Sequence, residues 1–356
     1  MRFRYVIALV LIVVLMMSMA GCGPGDKKET KIGVAMPTHT RQRWNQDGAN
    51  IERKLIEQGY SPDLKYADND KVLQVAQIND MINEGCKVLI VAAVDVNALA
   101  DILDKARSKG ITVIAYDRLI MNTDAVDYYA TFDNFAVGTM QGEYIEEKLN
   151  LKSGAGPYNL EIFGGALDDN NAVALFEGAM DVLRPYIKSG QLVVRSGQME
   201  LQACATLRWS DKIARDRMSG ILDELYKDAA VDAVLCANDS TAYGVIAALK
   251  EAGYGAGGKK MPIITGQDAD KKNVKAILMD EQTMSIFKDT RILADESVKM
   301  VNAILSGKEP ETNDIGNYNN GVKIVPTFLI RPQFVDKSNY KALLIDSGYY
   351  TESDIQ

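Results

Sequence analysis

Polar and charged side chains follow nearly every apolar run of this sequence, where a strand would give way to a loop. The first run, "KIGVAM", leads into "PTHTRQRW", which holds one of the two tryptophans of the chain. The residues singled out by such positions are His39, Arg43, Trp44, Asp117, Arg118, Asp168, Asp169, Asn170, Asn171, Trp209, Asn238, Asp239, Gln267, Asp268 and Lys288. The set combines hydrogen-bond donors with acceptors, which suits a ligand covered in hydroxyl groups, because each hydroxyl both donates and accepts.

Taken one by one, these residues also allow plainer interpretations. An Asp or Asn after a strand often caps the following helix, and capping is the preferred interpretation of Asp239. Arg118 could simply pair with a carboxylate, and a single tryptophan is usually a packing residue. Two tryptophans nevertheless suit the apolar C–H faces of a pyranose ring, and charged partners form stronger hydrogen bonds than neutral ones. The convergence of all these residues on strand ends favours a binding site.

Catalysis and metal binding have little support in the sequence. His39 is the only histidine, so a Ser-His-Asp site or a histidine-rich metal site would depend on it. Asp168 and Asp169 are adjacent and their side chains should diverge, whereas glycoside hydrolysis needs two carboxyl groups that flank one bond. No C-x-x-C or G-x-x-x-x-G-K-[ST] pattern is present, and "GYGAGG" at 253–258 follows a predicted helix, which indicates a surface turn. We therefore expect no metal and no cofactor.

Apolar runs alternate with amphipathic stretches along the chain, and the elements they predict must position the polar residues. The predicted strands are 31–36, 63–67, 87–93, 111–117, 158–164, 191–196, 231–237 and 262–266. Helical patterns such as "NIERKLIEQG" lie between them, and several end at glycine, as helices often do. The strands contain β-branched runs without strict alternation, which indicates parallel sheets covered by helices on both faces. The sequence thus predicts an α/β fold of two similar lobes, with the ligand beyond the carboxyl ends of the strands.

The N-terminal segment predicts export and attachment to a membrane. Arg2 and Arg4 precede the apolar run "YVIALVLIVVLMM", which has the length of a signal peptide, and "SMAGC" resembles a bacterial lipobox. We expect residues 1–21 to be a lipoprotein signal peptide, Cys22 to be lipidated, and residues 22–30 to form a flexible tether. An ordinary signal peptide with an incidental cysteine is the alternative.

Charge and cysteine content exclude some partners and roles. The formal charge is −8, and −10 without the arginines of the signal peptide, and there is no basic stripe. Phosphate binding relies on clustered Lys and Arg, so nucleic acid is not an expected partner. Besides Cys22, the chain has Cys86, Cys204 and Cys236, an odd number that cannot all pair; Cys236 is expected to pack as a small hydrophobic residue.

Several motifs together carry a family resemblance. "KIGVAMPT", "VIAYDRLI", "YYATFDNFAVG", "FGGALDDNNA", "TLRW" and "ITGQDAD" resemble the periplasmic sugar-binding proteins of ABC importers, above all members that bind xylose or several monosaccharides. The resemblance extends over nearly all of residues 31–356. It implies a type I periplasmic-binding fold, in which two Rossmann-like lobes with parallel sheets are joined by a three-crossing hinge. The first lobe would comprise 31–132 with 289–322, and the second 133–288 with 323–356.

The resemblance also implies a role for each matching residue. The sugar ring would lie between Trp44 and Trp209. Its hydroxyls and ring oxygen would bond to Arg43, Asp117, Arg118, Asp169, Asn171, Asn238, Asp268 and Lys288. His39 departs from the family pattern at its position and is kept as a further candidate contact.

The function implied by the resemblance is that of a receptor. A monomeric, lipid-anchored extracytoplasmic (or periplasmic) protein would bind an aldose such as xylose, glucose, galactose or arabinose and present it to ABC permease subunits in the membrane. One alternative is a sugar sensor that signals to a membrane chemoreceptor or histidine kinase. Another is a sugar-processing enzyme, which would turn over an aldose instead of binding it unchanged.

Overall fold

Strands and helices alternate through residues 29–355, the part of the chain that the computed structural model describes; the predicted signal peptide, Cys22 and most of the tether lie outside it. The strands are β1 (Lys31–Met36), β2 (Ser61–Tyr66), β3 (Val88–Val91), β4 (Thr112–Tyr116), β5 (Tyr128–Phe132), β6 (Tyr158–Phe163), β7 (Leu192–Val193), β8 (Ala233–Cys236), β9 (Ile263–Ile264), β10 (Ser285–Phe287), β11 (Thr327–Ile330) and β12 (Gln333–Val335). The helices are α1 (Gln42–Glu57), α2 (Lys71–Asn83), α3 (Ala100–Ser108), α4 (Asn134–Lys148), α5 (Asn171–Ser189), α6 (Leu201–Cys204), α7 (Asp211–Leu225), α8 (Asp239–Glu251), α9 (Lys271–Leu278) and α10 (Thr290–Leu305). Within residues 29–355, no helix combines the length and the apolar character needed to cross a bilayer.

A six-stranded parallel sheet forms the centre of the first lobe, in the order β11-β5-β4-β3-β1-β2. Successive residues of a strand point to opposite faces, and both faces are buried. Leu89 and Val91 of β3 pack into one apolar cluster, whereas Val88 and Ile90 pack into another. The prediction of a parallel sheet covered on both faces is therefore confirmed for this lobe.

The second lobe repeats this arrangement with a smaller parallel sheet, in the order β7-β6-β8-β9. Val234 and Cys236 of β8 pack on one face, and Ala233 and Leu235 on the other. Cys236 is therefore a packing residue, as expected. A separate antiparallel pair, β10 with β12, adjoins this lobe.

The chain passes between the lobes three times: between β5 and α4, between β10 and α10, and between β11 and β12. The predicted boundary at residue 323 is wrong, because β11 pairs in parallel with β5 and belongs to the first sheet. The third crossing instead lies at residues 331–332, after which β12 joins the second lobe. The sequence pattern did not indicate that β11 is a strand of the first lobe. The two central residues of β11, Phe328 and Leu329, are only half-buried at the edge of the sheet.

Candidate ligand-binding cleft

The carboxyl ends of the two parallel sheets meet at a cleft between the lobes. The cleft contains about 630 Å³ of space free of protein atoms, part of it open to solvent. All of the residues that the resemblance assigned to the sugar line it: Arg43, Trp44, Asp117, Arg118, Asp169, Asn171, Trp209, Asn238, Asp268 and Lys288. Their contact with a ligand stays a prediction.

Arg43 and Trp44 lie in the first turn of α1, which begins at Gln42, whereas the sequence suggested a polar loop here. Trp44 packs into the same apolar cluster as Ile51 and Leu55. It is the one member of that cluster in the first two turns of the helix, so hydrophobic periodicity did not indicate these turns. The Trp44 indole is 5% exposed. The guanidinium carbons of Arg43 and Arg118 lie 4.3 Å and 5.3 Å from its ring centroid. These cation–π contacts hold the indole at the cleft wall.

Four buried charged groups alternate in sign at the centre of the cleft. Arg43 and Asp117 come from the first lobe, with Nη1 3.0 Å from Oδ2. Asp268 and Lys288 come from the second lobe, with Nζ 3.3 Å from Oδ1. The contacts between lobes are longer, 3.7 Å from Arg43 Nη1 to Asp268 Oδ1 and 3.9 Å from Lys288 Nζ to Asp117 Oδ2. Each lobe therefore presents a pair that is already neutral.

Burial and neighbouring cations have opposite effects on the two carboxylates nearest Arg118, and the balance differs between them. Burial opposes ionisation of Asp117, but Arg43, Lys288 and Arg118 together outweigh it and hold the pKa of this carboxyl below its ordinary value. Burial dominates at Asp169 and raises its pKa, although Arg118 Nε lies only 2.8 Å from Oδ2. Asp117 is thus an ionised acceptor beside strong donors, which is the combination that a hydroxyl group requires.

Arg118 and Asn171 are fixed by contacts on both sides of the cleft. Arg118 Nη1 donates to the carbonyl oxygen of Ala93 at 2.9 Å, while its Nε faces Asp169 of the other lobe. Asn171 begins α5, and its Nδ2 donates to the carbonyl oxygen of Asp117 at 2.8 Å. Its backbone N–H donates to Asp169 Oδ1 at 3.0 Å. The start of α5 is therefore bonded to the first lobe.

Trp209 contributes an aromatic face from the second lobe. It ends a 3₁₀ turn in which Arg208 and Trp209 both have a left-handed backbone, with φ of 55° and 54°. Gly165 lies against the indole, and a Cβ at that position would overlap the ring. Trp209 Nε1 and Gln267 Oε1 are buried without a hydrogen-bond partner among the described residues. Because buried polar atoms are normally paired, both are suited to polar groups of a ligand.

Several lining residues were given no ligand contact from the sequence: Arg41, Asn69, Asn134, Leu175, Arg208, Ser240, Gln267 and Asp270. Gln267 was singled out at a strand end, but the resemblance gave it no role. Asn134 follows β5, a strand that was not among those predicted. The sequence did not indicate that Arg41 lines the cleft, because the partners of Arg41 are distant in sequence. Its Nη1 donates to Ser240 Oγ and its Nη2 to the carbonyl oxygen of Trp209, both at 3.0 Å.

Two interpretations from the sequence are corrected. His39 is exposed and lies outside the cleft lining, with its ring stacked on Tyr66 at a centroid distance of 3.7 Å. Asp239 does not cap α8; Asn238 does, by accepting a hydrogen bond from the N–H of Thr241 at 3.0 Å. Asp239 is instead fully buried behind the cleft.

Comparison with known proteins agrees with this architecture. Residues 32–309 match the family described as the periplasmic binding protein domain. The chain belongs to this family. The resemblance seen in the motifs and the α/β fold with parallel sheets are both confirmed.

Relatives of this periplasmic binding protein include several sugar binders. The multiple sugar-binding periplasmic receptor ChvE of Rhizobium radiobacter is 50% identical over 325 residues, 91% of this chain and 92% of that protein. The D-xylose-binding periplasmic protein of Escherichia coli is 32% identical, over 92% of this chain and 93% of its own. An ABC transporter solute binding protein from Clostridium phytofermentans, solved with bound β-D-glucose, is 54% identical; the match covers 92% of this chain and 100% of that one, with a TM-score of 0.89. These relatives are described as a receptor and as binding proteins.

Proposed function

We propose that this chain is an extracytoplasmic receptor that binds a free aldose, such as xylose, glucose, galactose or arabinose, and delivers it to an ABC importer. The observation that carries the proposal is the cleft, in which each lobe supplies one tryptophan and one ion pair. Sugar hydroxyls can donate to the carboxylates and accept from the cations, and the C–H faces of the ring can pack on the indoles.

Binding would favour the closed arrangement of the lobes. Arg43 and Asp117 belong to one lobe and Asp268 and Lys288 to the other, so only a cleft with both lobes together presents all four groups to one ring. A ligand shifts such an equilibrium by its stronger contacts with one state. The closed, loaded protein would then be the form that the permease accepts. The glucose-bound and multiple-sugar-binding relatives support this ligand class.

The receptor is proposed to act as a monomer tethered to the membrane through lipidated Cys22. The tether is supported by the N-terminal sequence, in which Arg2 and Arg4 precede an apolar run and "SMAGC". In cells fed an alkyne-labelled fatty acid, the wild type should incorporate the label and Cys22→Ser should not. A wild-type protein without label would contradict lipidation, and a stable dimer in sedimentation velocity would contradict the monomer.

Calorimetric titration with a panel of aldoses tests the proposed function. At least one of them should bind, and Trp44→Ala and Asp268→Ala should each raise its Kd by about 10-fold or more, which corresponds to about 1.4 kcal/mol. The aldose should be recovered unchanged after incubation with the protein. A protein that binds none of these aldoses, or that converts one of them, would contradict the proposal.

A further inference from the structure

Asp47 lies one helical turn beyond Arg43 on α1 and is fully buried, yet it does not line the cleft. Its Oδ2 accepts a hydrogen bond from Arg43 Nε at 3.0 Å and lies 3.0 Å from Nη2. Its Oδ1 accepts a hydrogen bond from the hydroxyl of Tyr116 at 2.5 Å, and Tyr116 is also fully buried. Asp47 therefore connects α1 to β4 beneath the cleft.

The guanidinium group of Arg43 is divided between two sets of partners. Its Nε and Nη2 face Asp47, whereas Nη1 faces Asp117 and Asp268. A guanidinium is planar and rigid, so fixing one edge fixes the direction of the remaining nitrogen. Asp47 thus determines where the cleft-facing N–H groups of Arg43 point without reaching the cleft itself.

Stability is a weak explanation for this buried pair. Removing two charges from water costs several kcal/mol per ion, and well-packed apolar residues in place of such a pair are often as stable or more so. Apolar residues in place of Asp47 could not fix the direction of the Arg43 guanidinium. Asp47 contacts the edge of the Arg43 guanidinium that is turned away from Asp117 and Asp268.

We infer that Asp47, supported by Tyr116, is a positioning residue for ligand binding, because it holds Arg43 in the orientation that the sugar requires. The inference rests on the proposed function, since it takes Arg43 to contact the ligand. Asp47 acts only through Arg43, so replacing it should have no effect on binding once Arg43 has been replaced.

A double-mutant cycle measured by calorimetric titration tests the inference. Asp47→Asn keeps the size of the side chain and removes its charge. The Kd of an aldose that the wild type binds should rise about 10-fold in Asp47→Asn. In the Arg43→Gln background, the same substitution should change Kd by no more than about twofold. Glu161→Gln is the matched control. Glu161 is also a fully buried carboxylate that accepts a hydrogen bond from a tyrosine hydroxyl, that of Tyr226 at 2.7 Å, and it lies outside the cleft lining. The Kd of Glu161→Gln should equal that of the wild type.

Two results would overturn the positioning role: an equal rise of Kd in both backgrounds, or no rise in either. A wild type that binds no aldose would refute the proposed function instead. A crystal structure of Asp47→Asn without ligand would then show whether Asp47 orients Arg43. Arg43 Nη1 should move from its place beside Asp117 by about 1 Å or more. A guanidinium that keeps its place in that variant would overturn the inference independently of any sugar.

Discussion

At the scale of single residues, polar and charged side chains of the cleft are held by backbone carbonyl groups and by Asp47, which does not line the cleft. Arg118 donates to the carbonyl oxygen of Ala93, and Asn171 donates to that of Asp117. Arg43 is held by Asp47. Side chains that are fixed in this way lose little further freedom when a ligand binds, and this lowers the cost of association.

The ionisation of Asp47 leads to a prediction about stability. Burial outweighs Arg43 and Tyr116 and raises the pKa of Asp47 from 3.8 to about 6. The folded protein keeps this proton to a higher pH than the unfolded chain, so the stabilising contribution is complete below pH ~4 and is lost as the pH rises through ~6. We expect the difference in free energy of unfolding between the wild type and Asp47→Asn (wild type minus variant) to fall by about 2–3 kcal/mol between pH ~4 and ~7. Denaturant unfolding of both proteins measures this difference, and a constant value would contradict the raised pKa.

Residues of the cleft were predictable where they follow a strand that is itself visible in the sequence. Asp117 and Asp268 stand directly after or close to apolar runs, and the carboxyl ends of parallel strands meet at one edge. Arg41 was not predictable, because its position depends on Ser240 of the other lobe. His39 shows the opposite error: it is close to Arg43 in sequence, yet its ring stacks away from the cleft on a residue of β2.

At the scale of elements, strands that form part of a long apolar run were predictable, whereas β5, β10, β11 and β12 were missed. β3 and β4 are apolar runs buried by helices on both faces, and their composition alone indicates them. β10 and β12 have three residues each and pair with one another, although the chain crosses to the first lobe and back between them. The start of α1 was missed because Trp44 is its one member of the apolar cluster before Ile51, and the residues around Trp44 are polar.

The turn that carries Trp209 leads to a prediction at this scale. Gly165 follows β6 and touches the indole, so Gly165→Ala should displace the ring. We expect a loss of about 1–3 kcal/mol in the free energy of unfolding, as for other overpacked sites, and a rise in aldose Kd. Gly220→Ala is the matched control: Gly220 lies within α7 with open space around it, and alanine there should stabilise by about 0.5–1 kcal/mol. Thermal unfolding and titration of both variants measure the effects, and unchanged binding by Gly165→Ala would show that the indole position is unimportant.

At the scale of the whole molecule, the lobes come together without burying an unpaired charge at the centre. Arg43 is already paired with Asp117 in one lobe, and Lys288 with Asp268 in the other. The contacts that join these two pairs across the cleft are longer and add little to closure. The ion pair that does connect the lobes is that of Arg118 with Asp169, at 2.8 Å. The balance between open and closed forms depends on this pair, on the ligand and on contacts at the cleft rim.

Arg41 makes the clearest of these rim contacts and leads to a prediction about kinetics. Its bonds to Ser240 and to the carbonyl oxygen of Trp209 can exist only while the lobes are together. Arg41→Ala should therefore leave the association rate of an aldose nearly unchanged and raise its dissociation rate roughly 10-fold, the size expected for charged hydrogen bonds. Stopped-flow tryptophan fluorescence measures both rates. Arg53→Ala in the adjoining helix α1 should change neither, because among residues 29–355 Arg53 pairs only with exposed Glu57. A slower association with unchanged dissociation would mean that Arg41 guides the sugar into the cleft and does not hold the lobes closed around it.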